Sequence, residues 1–296
     1  MKRCWLTLSL LPACAEVWAH GLPSASGAPA DASPEPWVLC CLALSLMLYG
    51  VGLWRLWRRS RLGRGTLLRH AGWFGAGWIA MAVALASPLD AAGGYLFSAH
   101  MVQHELLMIV AAPLMVLGRP LGVWAWSLPQ SWLRPLGGAL RVGPVRSAWH
   151  ALTRPLHAWL LHFAALWLWH VPALFQAALV HPAVHAVQHA SFLFPALLFW
   201  WAVLEGAQSG PDRGAAIAYL FTTMLHTGAL GALFAMSGHV WYPAYGIGAS
   251  QYGLSPLEDQ QLGGLIMWVP GGLAYVIAGL VLCAGWLRQP ARGVAP

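Results

Sequence analysis

Residues 97–120 read FSAHMVQHELLMIVAAPLMVLGRP. Apart from His100, His104 and Glu105, nothing in this stretch is ionisable until Arg119. A run of about 20 apolar residues is the length of helix that crosses a hydrocarbon core. This span is placed at 96–117, and comparable runs recur at 37–57, 68–87, 156–174, 183–204, 214–236 and 256–287. In lipid the backbone must satisfy its own polar groups, which helices do within a single segment. The predicted fold class is therefore all-α, a polytopic membrane bundle of about seven transmembrane helices occupying 37–287.

Composition agrees. Hydrophobic residues make up 59% of the chain and charged residues 8%, against about 25% charged in a soluble domain. That is too little charge to cover a water-facing surface. The net charge of +7 invites a nucleic-acid reading, which the positions of the charges exclude. Beyond Lys2 and Arg3, every basic residue falls at 55–69, 119–154, 213 or 288–292. The segments 20–36, 88–95, 175–182 and 237–255 have none. Alternate loops carry all the positive charge, so the arginine loops are cytoplasmic. The mature N-terminus is then outside and the C-terminal tail, 288–296, inside. The basic balance is a topology signal, and the bilayer is the implied partner. Nineteen Trp suit interfacial belts and helix packing better than base stacking.

Residues 1–19 read as a signal peptide, with Lys2 and Arg3 before a short apolar core and small residues up to Ala19. Leu11-Pro12-Ala13-Cys14 offers a lipoprotein box as the alternative. The Pro/Ala/Ser/Gly-rich stretch 20–36 reads as an exported linker, and cleavage after Ala19 makes His20 the first mature residue. Of the five cysteines, Cys4 and Cys14 lie in the leader and no pair has C-x-x-C spacing, so a disulfide framework is not expected. Cys40 and Cys41 read either as small buried hydrophobes or as contacts for a soft metal.

With orientation assigned, eight of the thirteen histidines fall on the outer side: His20, His100, His104, His170, His181, His185, His189 and His239. His226 lies near mid-membrane. His100-Met101-Val102-Gln103-His104 and His185-Ala186-Val187-Gln188-His189 repeat the pattern H-x-V-Q-H, each opening a span that runs inward. Histidines at i and i+4 share a helical face about 6 Å apart along the axis, a spacing that lets two imidazoles hold one metal. Packed, hydrogen-bonded histidines are the bland alternative for any one of them. Two matched pairs at one depth favour a metal site, because ionisable groups inside a membrane are costly. His170, ending span 4, and His226 are added as ligand candidates. Met101 and other nearby methionines tilt an imidazole site toward copper. Glu105, Glu258 and Asp259 are supporting candidates, Glu258 within a capping box opened by Ser255. No nucleotide, zinc-protease or hydrolase motif is present, so no catalytic residue is assigned and the protein is read as no enzyme.

The stretches 97–120, WHVPALFQAALVHPAVHAVQHASFLFPALLFW (169–200), MLHTGALGALFAM (224–236) and LSPLEDQQLGGLIMWVPGG (254–272) together resemble the polytopic CtaG family of caa3-type cytochrome c oxidase assembly factors. The resemblance covers roughly residues 40–285. It implies a bacterial plasma (inner) membrane protein that helps mature a haem-copper oxidase by supplying copper to its binuclear centre. Oxidase subunits and a periplasmic copper donor are the implied partners. The motif positions carried over are His100, His104, His170, His185, His189, His226, Glu258 and Asp259. Haem binding or handling is the alternative, since two histidines on different helices at one depth also suit haem. Tandem i,i+4 pairs suit a small ion better. A phosphatase fused at position 140 is expected to be inactive in cells; an active fusion there would overturn the assigned orientation.

Overall fold

The computed structural model describes residues 35–59, 63–206 and 213–288. The predicted signal peptide, nearly all of the linker, His20, Cys4, Cys14 and the tail beyond Arg288 lie outside the described residues. The chain runs through α1 (Pro36–Arg59), α2 (Arg64–Ala86), α3 (Pro88–Gly93) and α4 (Phe97–Glu105). A π-helical segment, Leu106–Ala111, links α4 to α5 (Ala112–Leu117). Then come α6 (Pro120–Ser127), α7 (Gln130–Arg141), α8 (Gly143–Leu152), α9 (Pro155–Trp169), α10 (Pro172–Val180), α11 (Pro182–Gly206) and α12 (Arg213–Ala235). A loop containing α13 (Gly246–Gln251) leads to α14 (Pro256–Ile266), a second π segment, Met267–Gly271, and α15 (Gly272–Leu287). No strand occurs among the described residues.

Five stretches are long and apolar enough to cross a bilayer: Pro36–Arg59, Phe97–Leu117, Pro182–Leu204, Arg213–Ala235 and Pro256–Leu287. Counting α9 with α10 as one broken span makes six. The remaining expected span, α2, has 23 residues but falls short in apolarity. Its first turns carry Arg64, Arg69 and His70, and Gly72, Gly75 and Gly77 dilute the rest. The span expected at 156–174 is corrected more sharply. Its helix stops at Trp169, and α10 leaves at 76°. Val171 precedes Pro172, and a residue before proline is pushed out of the helical region; Val171 is extended accordingly.

The span containing His100 and His104, Phe97–Leu117, is the centre of the bundle. Within its apolar window 56% is buried, against 17% for the first and last spans. On one side Tyr49, Phe74, Leu107 and Met115 pack α1 and α2 against it. On the other, Phe192, Phe199, Leu220 and Phe234 join α11 and α12. Gly264 permits the close crossing of α14 on α12, since a Cβ there would lie 2.4 Å from the backbone nitrogen of Ala235. Cys40 and Cys41 are exposed on α1, which corrects the buried reading.

The π segment in the central span follows from its proline. The N–H of Ala112 donates to the carbonyl of Leu107, five residues back. In that register the Met108 carbonyl would pair with residue 113, and Pro113 has no N–H. The indole of Trp200 on α11 donates to Met108 instead, at 2.8 Å. An unpaired carbonyl buried in lipid is costly, so Trp200 binds α11 to the distorted turn. Trp200→Phe is expected to lower stability in detergent by roughly 1–3 kcal/mol, measured by thermal unfolding. In a Pro113→Ala background the restored amide can serve Met108, and the same change is expected to cost less. Equal costs in both backgrounds would refute this account.

Candidate metal centre

The first turn of α4 lacks a cap of its own, because Leu96 has no side-chain acceptor. Asp259 on α14 supplies one. Its carboxylate accepts from the N–H of Phe97 (2.7 Å), the N–H of Ser98 (3.0 Å) and the hydroxyl of Ser98 (2.5 Å). Gln103, three residues beyond His100, donates to the Ala84 carbonyl and to the Asp90 carboxylate, both at 2.8 Å. The far side of the motif helix is thus pinned to α2 and α3, and its histidines are turned toward α11.

There the two pentapeptides meet. Ring centroids of His100 and His185 are 5.4 Å apart, and those of His104 and His189 are 5.5 Å apart. Within each helix the pairs stand at 4.4 Å and 4.2 Å. His170, at the C-terminal end of α9, approaches His104 at 6.0 Å. Ligand atoms of His100, His185 and His189 all lie within 4.8 Å of one another. His100, His104, His170 and His189 are buried, and His185 is half-buried. Nε2 of His100, His170 and His189 and both ring nitrogens of His104 have no hydrogen-bond partner among the described residues. A buried polar atom left unpaired costs about 1–3 kcal/mol, and here several converge from three helices.

Aromatic side chains close the site. Phe175 of α10 sits 5.1 Å from His100, and Phe192 of α11 sits 4.3 Å from His104. The bend after His170 is what brings Phe175 over the histidines. The loop 237–254 packs down over the site as a roof. Tyr242 stacks on Phe97 at 5.0 Å and donates to the His170 carbonyl at 2.7 Å. Tyr245 donates to the Gly93 carbonyl at 3.2 Å. Burial pushes both phenols above their usual range, so they stay protonated donors. Gln260 holds the loop from below, accepting from the N–H of Trp241 and donating to the His239 carbonyl.

Other candidates stand elsewhere. His226 lies against Trp159 and Phe163, with centroids at 5.7 and 4.8 Å, and is not brought to the four histidines. Met101 turns toward α14, where Phe97 and Met101 fill the space left by Gly263. Glu105 faces Gly271 in the second π segment, where a Cβ would lie 2.8 Å from Oε2. Glu258 is exposed and closes the capping box with Ser255. The sequence reading missed the two glutamines as site-builders, although both stand at the fourth position of the repeated motif. Gln103 and Gln188 are fully buried, Gln188 beside His100.

The profile of the cytochrome c oxidase caa3 assembly factors (Caa3_CtaG) matches residues 47–289. The chain belongs to the caa3-type cytochrome c oxidase assembly factor family. Over 230 residues, 73% of this chain, it is 29% identical to the uncharacterized proteins Mb0105 of Mycobacterium bovis and MT0111 of Mycobacterium tuberculosis, and 26% identical to ML1998 of Mycobacterium leprae. The match covers 34% of each relative, so it spans about a third of their length. No solved structure matches. In this CtaG-family chain, the match takes in both H-x-V-Q-H motifs and Asp259.

Charge-assisted bonds to buried donors are worth about 1.5–3 kcal/mol. Asp259→Asn keeps the size of the side chain but loses the charge, and is expected to cost roughly 1–3 kcal/mol. Faster hydrogen exchange at residues 97–104 should accompany the lower melting temperature. Glu258→Gln, exposed one residue away, is expected to change both far less. Equal effects of the two changes would show that Asp259 does not hold the motif helix.

Proposed function

We propose that the facing histidine pairs bind copper, and that this non-catalytic assembly factor hands the ion to the binuclear centre of a haem-copper oxidase in the bacterial plasma membrane. The observation that carries this reading is the convergence of His100, His185 and His189 within 4.8 Å. Metal–imidazole bonds are about 2 Å long, so two nitrogens on one ion stand at most about 4 Å apart, and small side-chain rotations close the difference. The set is all imidazole with no carboxylate among the three, which suits copper or zinc and disfavours magnesium or calcium. Two or three imidazoles satisfy Cu(I) at low coordination, so ligands can be exchanged one at a time. His104 and His170 form the next step from that trio. Copper enters from the arginine-free, outer side, from a periplasmic donor.

Haem handling is less well supported. The facing rings stand only about 5.4 Å apart centre to centre, and Phe175 and Phe192 pack on them at 5.1 and 4.3 Å. Two imidazoles axial to one haem iron would stand about 6 Å apart centre to centre, so it is the packed phenyl rings beside them, where a porphyrin plane would have to lie, that favour a small ion.

The test is the metal content of the client oxidase isolated from copper-limited cells. Deletion of the gene is expected to leave oxidase polypeptide with haem largely present, copper depleted and turnover low. His100→Ala with His185→Ala, and His104→Ala with His189→Ala, are expected to approach the deletion, single changes less so. Full copper occupancy with normal turnover in the deletion strain would reject delivery. Normal copper with missing haem would favour the haem reading.

A further inference from the structure

The arginine-bearing end of the bundle holds a cavity of about 550 Å³ between the end of α1 and the α6–α7 corner. Trp54, Arg55, Arg58 and Arg59 line it from α1, Trp126 from α6 and Gln130 from α7, and no acidic residue is among its lining. Arg55 is structural: Nη1 donates to the carbonyls of Trp126 (3.1 Å), Ser127 (2.8 Å) and Leu128 (3.3 Å), closing the end of α6. Arg58 and Arg59 are held differently. Their guanidinium carbons lie 4.3 Å from the Trp54 ring centroid and 5.4 Å from that of Trp126. Stacking fixes the plane of a guanidinium and leaves its N–H edge available.

The neighbouring elements point to the same solvent boundary. Helices α7 and α8 bury no residue. They expose Trp132, Leu136, Leu140 and Trp149 while carrying Arg134, Arg141 and Arg146. Such a composition lies in the plane of a bilayer surface. The pocket therefore sits at headgroup depth, where tryptophan is enriched and basic pockets between helices bind anionic lipid headgroups.

We propose that this pocket binds the phosphodiester headgroup of an anionic phospholipid. Arg58 and Arg59 grip the phosphate oxygens, Gln130 faces the polar remainder, and the apolar walls take the start of the acyl chains. The volume is of ligand-pocket size. The lipid would lock the end of α1 to the α6–α7 corner independently of any metal at the other face.

Native mass spectrometry of the full-length protein in detergent tests this, with phosphatidylglycerol, cardiolipin, phosphatidylcholine and inorganic phosphate as separate probes. The wild type is expected to retain one anionic lipid at concentrations where phosphatidylcholine has dissociated, and millimolar inorganic phosphate should not displace it. Arg58→Gln with Arg59→Gln is expected to weaken anionic-lipid binding by roughly tenfold or more, leaving phosphatidylcholine unchanged. Arg134→Gln with Arg141→Gln, equal in charge lost but outside the pocket, should change it by less than about threefold. Equal retention of anionic and zwitterionic lipid by the wild type overturns the proposal whatever the variants do. So does displacement by free phosphate, or an equal loss in the two double variants.

Discussion

Asp259 takes two backbone N–H groups and a hydroxyl at the first turn of α4, and the rest of the site depends on that contact. A helix start buried in an apolar bundle needs acceptors for its free N–H groups. The residue before α4 offers none, so the last span supplies them. Fixing the start of α4 fixes its rotation as well as its depth. Gln103 secures the opposite face, and His100 and His104 are left facing α11. The two helices bring matched motifs together because both begin at the same side of the bundle and run the same way.

Below that level the two most informative spans share one device. Each passes through a π segment containing or preceding a proline, at Leu106–Ala111 and Met267–Gly271. The widened turn frees a carbonyl in the first, which Trp200 satisfies. The second places Gly271 against Glu105, where an added Cβ would lie 2.8 Å from Oε2 and the carboxylate would have to shift. Indole N–H groups serve the bundle repeatedly in this way: Trp78 reaches the Leu42 carbonyl and Trp124 the Ser45 carbonyl, both at 3.0 Å. In a core with few charges, such donors join helices without burying an ion.

The bundle architecture was legible because apolar length is a one-dimensional property of the chain. The H-x-V-Q-H repeat was equally visible, and i,i+4 spacing alone puts each pair on one face. What was not legible depends on which face meets which neighbour. His226 lies near mid-membrane and packs on Trp159 and Phe163, residues of α9 that precede His170 by roughly 10–16 Å along the helix axis, so it is too deep to join the other histidines. Met101 follows His100 directly and so points about 100° away from it, into α14. The break after Trp169 had a local signal in Val171-Pro172, but the apolar run continues through it and hid the bend. Prolines inside spans are tolerated often enough that Pro113 and Pro270 announced neither π segment. Asp259 read as a residue at a helix start; that it caps a different helix, 162 positions away in sequence, is a tertiary fact.

The functional account rests on imidazole nitrogen from α4 and α11 holding one copper ion. X-ray absorption at the copper edge, on full-length protein carrying one equivalent of Cu(I), reads those ligands directly. The account predicts a shell of nitrogen at about 2 Å with the outer-shell scattering of imidazole, lost when His100, His104, His185 and His189 are all changed to Ala. A shell dominated by sulfur at about 2.3 Å, drawn from Cys40, Cys41 or the methionines, would contradict it. So would an imidazole signal that survives the fourfold change.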